Sequence, residues 1–187
     1  MNVKNQLKSS VARATESDLP AISELAGVIW RACYPGIITQ AQIDYMLARM
    51  YALDVMRNEI RFEGIRYDLL LVKSKPIGFA SYGPIEVGTL RRGVRTAQRA
   101  VPTFKLHKLY LRPELHGRGL GSRLLQHVEH EVRNAGARRL ILAVNKHNSK
   151  AINAYRRNGF DVAESVITDF GNGFVMDDYI MAKELPD

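Results

Sequence analysis

Leu19, Ile22, Leu25, Ala26, Ile29 and Trp30 recur at the three-and-four spacing that gathers side chains on one side of an α-helix. Thr15-Glu16-Ser17-Asp18 precedes them and reads as an N-cap, with Thr15 capping and Asp18 three residues on. Tyr34-Pro35-Gly36 breaks that helix, and Thr39 opens a second whose apolar stripe is Ile43, Met46, Leu47 and Met50. A short third helix is expected over 53–60. The period then changes. Residues 67–72 and 77–82 are dense apolar runs on either side of the turn-like Lys73-Ser74-Lys75-Pro76, which predicts a β-hairpin. A loop over 83–103 with little periodicity leads to a strand over 104–111. Leu120, Leu124, Leu125, Val128 and Val132 mark a helix that stops near Gly136. Residues 139–144 read as a strand, 149–158 as a helix ended by Gly159, and 160–168 and 175–183 as closing strands.

The order is therefore ααββ followed by βαβαββ. The strand–helix–strand unit spanning 104–144 makes its two strands parallel with a right-handed connection, and the last two strands form an antiparallel hairpin. The fold class expected is α+β, or mixed α/β, with a mixed sheet. No repeat, low-complexity tract or Pro/Ser-rich linker interrupts the 187 residues, so a single domain over 1–187 is expected.

Apolar stretches such as Leu69-Leu70-Leu71-Val72 fall far short of the ~18 residues that cross a bilayer. The N-terminal MNVKNQLKSS lacks the apolar core of a secretory signal, and one cysteine, Cys33, cannot form an internal disulfide. These features point to a soluble cytoplasmic protein with no membrane partner. The 27 Lys and Arg outnumber the 19 Asp and Glu, for a formal net charge of +8, so anionic ligands are attracted. From Val87 to Pro113 the charged residues are Arg91, Arg92, Arg95, Arg99, Lys105, Lys108 and Arg112, with no acid among them. Such a zone serves a phosphorylated cofactor as well as a polynucleotide. No nucleic-acid recognition motif accompanies it, so no nucleic-acid partner is expected. His127, His130 and His147 lack the spacing with acids or thiols that marks a metal site, and no metal is expected.

Chemistry concentrates in Leu109-Tyr110-Leu111-Arg112-Pro113-Glu114-Leu115-His116-Gly117-Arg118-Gly119-Leu120-Gly121, which places three glycines between a predicted strand and a predicted helix. Glycine lets a backbone turn tightly and approach a ligand without Cβ obstruction. The first-turn amides of the helix have no intrahelical acceptor and carry the positive end of its dipole, which makes a place for phosphate. A P-loop is excluded because the chain has no Gly-Lys pair, and the dinucleotide fingerprint fails where Ser122 replaces its last glycine.

This segment resembles the acetyl-CoA loop of the GCN5-related N-acetyltransferases (GNAT), [QR]-x-x-G-x-[GA]: Gly119 and Gly121 match the two small positions, while His116 stands where Gln or Arg is usual. Asn148-Ser149-Lys150-Ala151-Ile152-Asn153-Ala154-Tyr155-Arg156-Arg157-Asn158-Gly159-Phe160 resembles the family's second stretch, N-x-x-A-x-x-x-Y-x-x-x-G-F, at all five fixed positions. Residues 106–111 and 177–183 look like polyamine acetyltransferases of the bacterial PaiA type. The resemblance implies a mostly antiparallel mixed sheet with a central splayed parallel pair, flanked by helices, and an acetyl-CoA-dependent enzyme.

The site residues follow from that resemblance. Backbone groups of Leu109 and Leu111 would pair with the pantetheine arm, and an N–H near Leu109 or Tyr110 would serve the oxyanion. The amides of Gly117, Arg118, Gly119, Leu120, Gly121 and Ser122, next to His116, would hold the pyrophosphate. Tyr155 resembles the family's general acid; an unperturbed phenol has a pKa of ~10 and stays protonated at pH 7. Asn148, with Ala151 three residues on, either caps its helix or contacts the cofactor. His107 is the candidate base, since imidazole titrates near pH ~6.5. Trp30, Tyr34 and Tyr82 are candidates for an aromatic wall around an ammonium group, with Asp177 and Asp178 supplying negative charge. The activity expected is N-acetylation of a small-molecule primary amine, polyamine-like or otherwise, by direct attack in a ternary complex. A protein N-terminus or lysine as acceptor, and a non-catalytic acyl-CoA sensor, are the alternatives. A sheet edge near the closing strands can support a homodimer.

Overall fold

The structure, a computed structural model, describes residues 8–85 and 101–186. Within them the chain runs β1 (Ser9–Arg13), α1 (Leu19–Cys33), α2 (Gln40–Met50), α3 (Leu53–Phe62), β2 (Arg66–Val72), β3 (Lys75–Ile85), β4 (Thr103–Leu111), α4 (Leu120–Asn134), β5 (Arg139–Asn145), α5 (Ser149–Arg157), β6 (Asp161–Gly171) and β7 (Phe174–Glu184). Every expected helix and strand is present, with ends displaced by a few residues. The opening is a correction: strand β1 precedes the helices. Its sequence, Ser-Ser-Val-Ala-Arg, has no apolar alternation to betray it. It exists through its backbone ladder to β2, from Ser9↔Val72 to Arg13↔Asp68. The expected loop over 83–103 is shorter at both ends, because β3 runs on to Ile85 and β4 begins at Thr103. Its residues 86–100, including Arg91, Arg92, Arg95 and Arg99, lie outside the described residues.

The strand order is β1-β2-β3-β4-β5-β7-β6, mostly antiparallel, with β4 and β5 parallel. The chain packs as two units. One comprises residues 8–81 with 108–127; the other comprises 82–85, 101–107 and 128–186.

In the first unit α1 buries Leu19, Ile22, Leu25, Ala26, Ile29 and Trp30, each at most 4% exposed, and packs against α2 and α3. Removing each such large side chain from water contributes ~1.5–3 kcal/mol. Thr15 and Asp18 form the expected capping box. It closes a single 3-10 turn, Glu16–Asp18, that leads into α1.

In the second unit β5 lies between β4 and β7. Its parallel ladder with β4 runs only from Thr103↔Arg139 to Leu106↔Leu142. Its antiparallel ladder with β7 continues to the end of the strand, Asn145↔Asp178. Val128, Val132, Leu140, Leu142, Ile152, Phe160 and Met181 form the core there. β6 is the edge strand and is exposed along most of its length.

Candidate active site

Strand β4 ends where the Arg112 amide donates to the Ile77 carbonyl at 2.9 Å, and one 3-10 turn, Pro113–Leu115, carries the chain to His116. The His116 ring does not point away from the protein. Its Nε2 lies 2.9 Å from the Leu111 carbonyl, tying the glycine turn back to the end of the strand. Gly117 and Gly119 have φ of +76° and +78°, and a Cβ built on Gly117, Gly119 or Gly121 meets no heavy atom within 4 Å beyond its chain neighbours. Leu120, 5% exposed, anchors the start of α4, whose first turn holds no acid. The Arg123 amide bonds the Gly119 carbonyl at 3.0 Å, so amides before it precede the helical ladder. An open glycine turn, a positive helix end and the exposed Arg118 and Arg123 fit a diphosphate.

The C-terminal part of β4 is held from both sides in this unit. A Cβ on Gly78 of β3 would stand 2.6 Å from the Tyr110 carbonyl, so only glycine lets β3 run this close. The only mark that Gly78 leaves in the sequence is that of a lone glycine in an apolar run, which fits close backbone approach. Across the strand, the Tyr34 and Tyr110 hydroxyls meet at 3.2 Å. Trp30 stacks on Tyr34 with centroids 4.3 Å apart and donates Nε1–H to the Tyr51 hydroxyl at 3.2 Å. The expected aromatic wall is thereby revised. Trp30 and Tyr82 are at most 2% exposed and belong to the core, while Tyr34 and Tyr110 are half-buried. Lys108 is also revised. It is not available to an anion, because its buried ammonium donates to the Glu59 carboxylate at 2.7 and 2.9 Å and to the Tyr67 hydroxyl at 2.7 Å.

The second unit carries the other motif. Asn148 is the N-cap of α5, its side-chain oxygen accepting from the Ala151 amide at 3.1 Å. Of the two readings left open by the sequence, the cap is the one the geometry displays. Two turns on, Tyr155 is half-buried beside Phe160, their ring centroids 5.9 Å apart, and the Phe160 amide returns to the Tyr155 carbonyl at 3.1 Å. Burial pushes the Tyr155 phenol up to about 12. Lys183 of β7 donates to the Asn158 carbonyl at 2.8 Å and to Glu129 of α4 at 2.7 Å, which pins the end of α5.

Beside the carboxyl end of β5, Lys146 pairs closely with Asp177. Asp178 is 8% exposed, and its Oδ1 has no hydrogen-bond partner among the described residues. Burial, then the neighbouring Asp177, pushes its carboxyl up to about 6, against the pull of Lys105 and Lys146. Burial in turn lowers Lys105. His107 is half-buried two residues beyond Lys105 on β4.

The sequence profile of the acetyltransferase (GNAT) family matches residues 29–160, a stretch that includes the glycine turn and Tyr155. The chain belongs to this family and is an acyltransferase; the family's acetyl donor is acetyl-CoA. Over 164 residues, 86% of this chain and 92% of the relative, it is 27% identical to the spermidine N(1)-acetyltransferase of Thermoplasma acidophilum. It is similar, with a TM-score of 0.76 and 25% identity, to the crystal structure of the PaiA N-acetyltransferase from Thermoplasma acidophilum in complex with coenzyme A, covering 95% of this chain and 99% of that one. The ribosomal-protein-S18-alanine N-acetyltransferase of Escherichia coli shares the fold at a TM-score of 0.67 and 18% identity, over 96% of each chain. Among the described residues no helix is long and apolar enough to cross a membrane.

Proposed function

We propose that this chain is a cytoplasmic, acetyl-CoA-dependent N-acetyltransferase of small primary amines, polyamine-like ones among them, with residues 1–187 acting as one catalytic domain. The observation that carries this reading is the open, acid-free glycine turn at the head of α4. The similarity to a spermidine acetyltransferase along most of both chains supports the choice of acceptor.

When bound, acetyl-CoA supplies the acetyl group as a thioester. Main-chain donors of Gly117, Arg118, Gly119, Leu120, Gly121 and Ser122 hold the pyrophosphate, and His116 positions that turn through its bond to Leu111. Backbone groups of Leu109 and Leu111 pair with the pantetheine arm as a neighbouring strand would. An N–H near Leu109 or Tyr110 stabilises negative charge developing on the carbonyl oxygen. Asn148 and Ala151 fix the start of α5 and hence where Tyr155 stands. With its proton held through the neutral range, the Tyr155 phenol donates to the departing sulfur.

An alkylamine is an ammonium ion at neutral pH, with a pKa of about 10, and must lose a proton before it attacks. Two ionisable groups of the second unit suit that task, His107 and Asp178, while Asp177 and Asp178 attract the cation. Within the first unit, Tyr34 and Tyr110, braced by Trp30, are the ring faces suited to a cation; Tyr82 of the second unit is core. The long exposed edge of β6 supports a homodimer, which sedimentation equilibrium would register as twice the chain mass.

The test is a screen of amines and peptides with acetyl-CoA, reading released thiol. Small amines are expected to release thiol faster than any peptide. Peptides outpacing every amine would overturn the choice of acceptor, and cofactor binding without thiol release from any acceptor would overturn catalysis.

A further inference from the structure

The β5 strand ends at Asn145, whose ladder partner is Asp178. Ligands in open sheets with parallel strands gather beyond the carboxyl ends of those strands, and Asp178 stands beside the carboxyl end of β5. It is 8% exposed, yet its Oδ1 accepts no hydrogen bond among the described residues. A buried carboxylate oxygen in that state is destabilised until a donor arrives.

Among the described residues, these charged and titratable groups bear on it. On β4, Lys105 acts on it electrostatically, and His107 follows two residues along the same strand. On β7, Asp177 adjoins it in sequence but is engaged by Lys146, which follows β5. On β6 its partner is Val166, and the exposed Glu164 pairs two places further, with Ile180. Neither ammonium closes on Asp178 as an ion pair.

We propose that Asp178 is the base that takes the proton from the acceptor ammonium, so the enzyme binds its acceptor charged. The N–H bond breaks with its electron pair left on nitrogen as the attacking lone pair. The proton passes to Asp178 Oδ1 and returns to solvent after turnover. This inference rests on the acetyltransferase reading and assigns to one residue a step that reading shares between His107 and Asp178. The balance of burial and neighbouring charge that sets the carboxyl near 6 leaves it ionised at pH 7 and able to accept a proton.

The test is the pH profile of kcat/KM with 1,3-diaminopropane for the intact wild type, Asp178→Asn and His107→Gln. Wild type is expected to rise through an acid limb near pH ~6 and level off well below the amine's own pKa of ~10; His107→Gln, whatever it does to the height of the plateau, is expected to keep that limb. In Asp178→Asn that limb should move to the amine's pKa of ~10, with kcat/KM at pH 7 lower by about 1,000-fold and recovered as pH approaches 10. An acid limb that stays near 6 in Asp178→Asn, or that vanishes in His107→Gln alone, overturns the assignment. A direct titration of the Asp178 carboxyl by carbon-13 NMR in cofactor-free wild type needs no variant. A midpoint near 6, lowered when the diamine is added, is expected; a midpoint in the ordinary carboxylate range overturns it. Coenzyme A binding by calorimetry separates the two levels: absent heat in wild type defeats the acetyltransferase reading itself. Unchanged heat with an unmoved acid limb defeats only Asp178.

Discussion

A proton-accepting carboxylate held out of water carries a cost in stability. The folded state raises the Asp178 carboxyl from the ordinary 3.8 to about 6, first through burial. Folding therefore favours the protonated form. Its contribution is fully present below about pH 4 and is lost as pH climbs through 6. Asp178→Asn is expected to be more stable than wild type at pH 7.5, by on the order of 2 kcal/mol, and indistinguishable from it at pH 4. Urea unfolding at the two pH values checks this, and equal stability at pH 7.5 would contradict it. Tyr155 makes the complementary case. Tyr155→Phe keeps the ring against Phe160 and deletes only the hydroxyl, so kcat should fall at least about tenfold while coenzyme A affinity stays within a few-fold. Steady-state kinetics showing unchanged turnover would remove Tyr155 from the chemistry.

At the scale of elements, the glycine turn and α5 were legible because their chemistry is local. The turn's amides, the Asn148 cap and the Gly159 stop all act within a few residues of their own position. What was illegible is non-local. The Tyr34–Tyr110 hydroxyl contact joins residues 76 apart, and the Lys108–Glu59 pair joins residues 49 apart. Neither leaves a periodic trace, so Lys108 looked like one more cation in a basic run. Strand β1 leaves no trace either, because a ladder to β2, rather than an apolar alternation, makes it a strand.

The function of the turn is separable from its conformation. Gly119 and Gly136 both hold positive φ, +78° and +86°, in open space, one at the head of α4 and one beyond its end. Alanine at either should cost about 1–2 kcal/mol in backbone strain. Only Gly119→Ala is expected to weaken coenzyme A binding as well, by tenfold or more. Equal affinities in the two variants would mean that the first glycine serves the fold alone.

For the whole molecule, the +8 charge sets the sign of ligand attracted, but its cations divide into those that meet solvent and those spent inside. Lys108 belongs to the second kind, with its ammonium between Glu59 and the Tyr67 hydroxyl and over the Tyr51 and Tyr67 rings. Lys108→Met leaves the Glu59 carboxylate without that partner and should cost about 3–5 kcal/mol in urea unfolding. The double variant Lys108→Met/Glu59→Met should recover most of it. A single variant as stable as wild type would show that the pair contributes nothing to this core.

An anion-gripping turn at the head of α4 is tested most directly by calorimetric titration of the intact protein with coenzyme A. The geometry predicts saturable one-to-one heat in the micromolar range, diminished by Gly119→Ala and untouched by Gly136→Ala. A flat titration of the wild-type protein up to millimolar coenzyme A would contradict it.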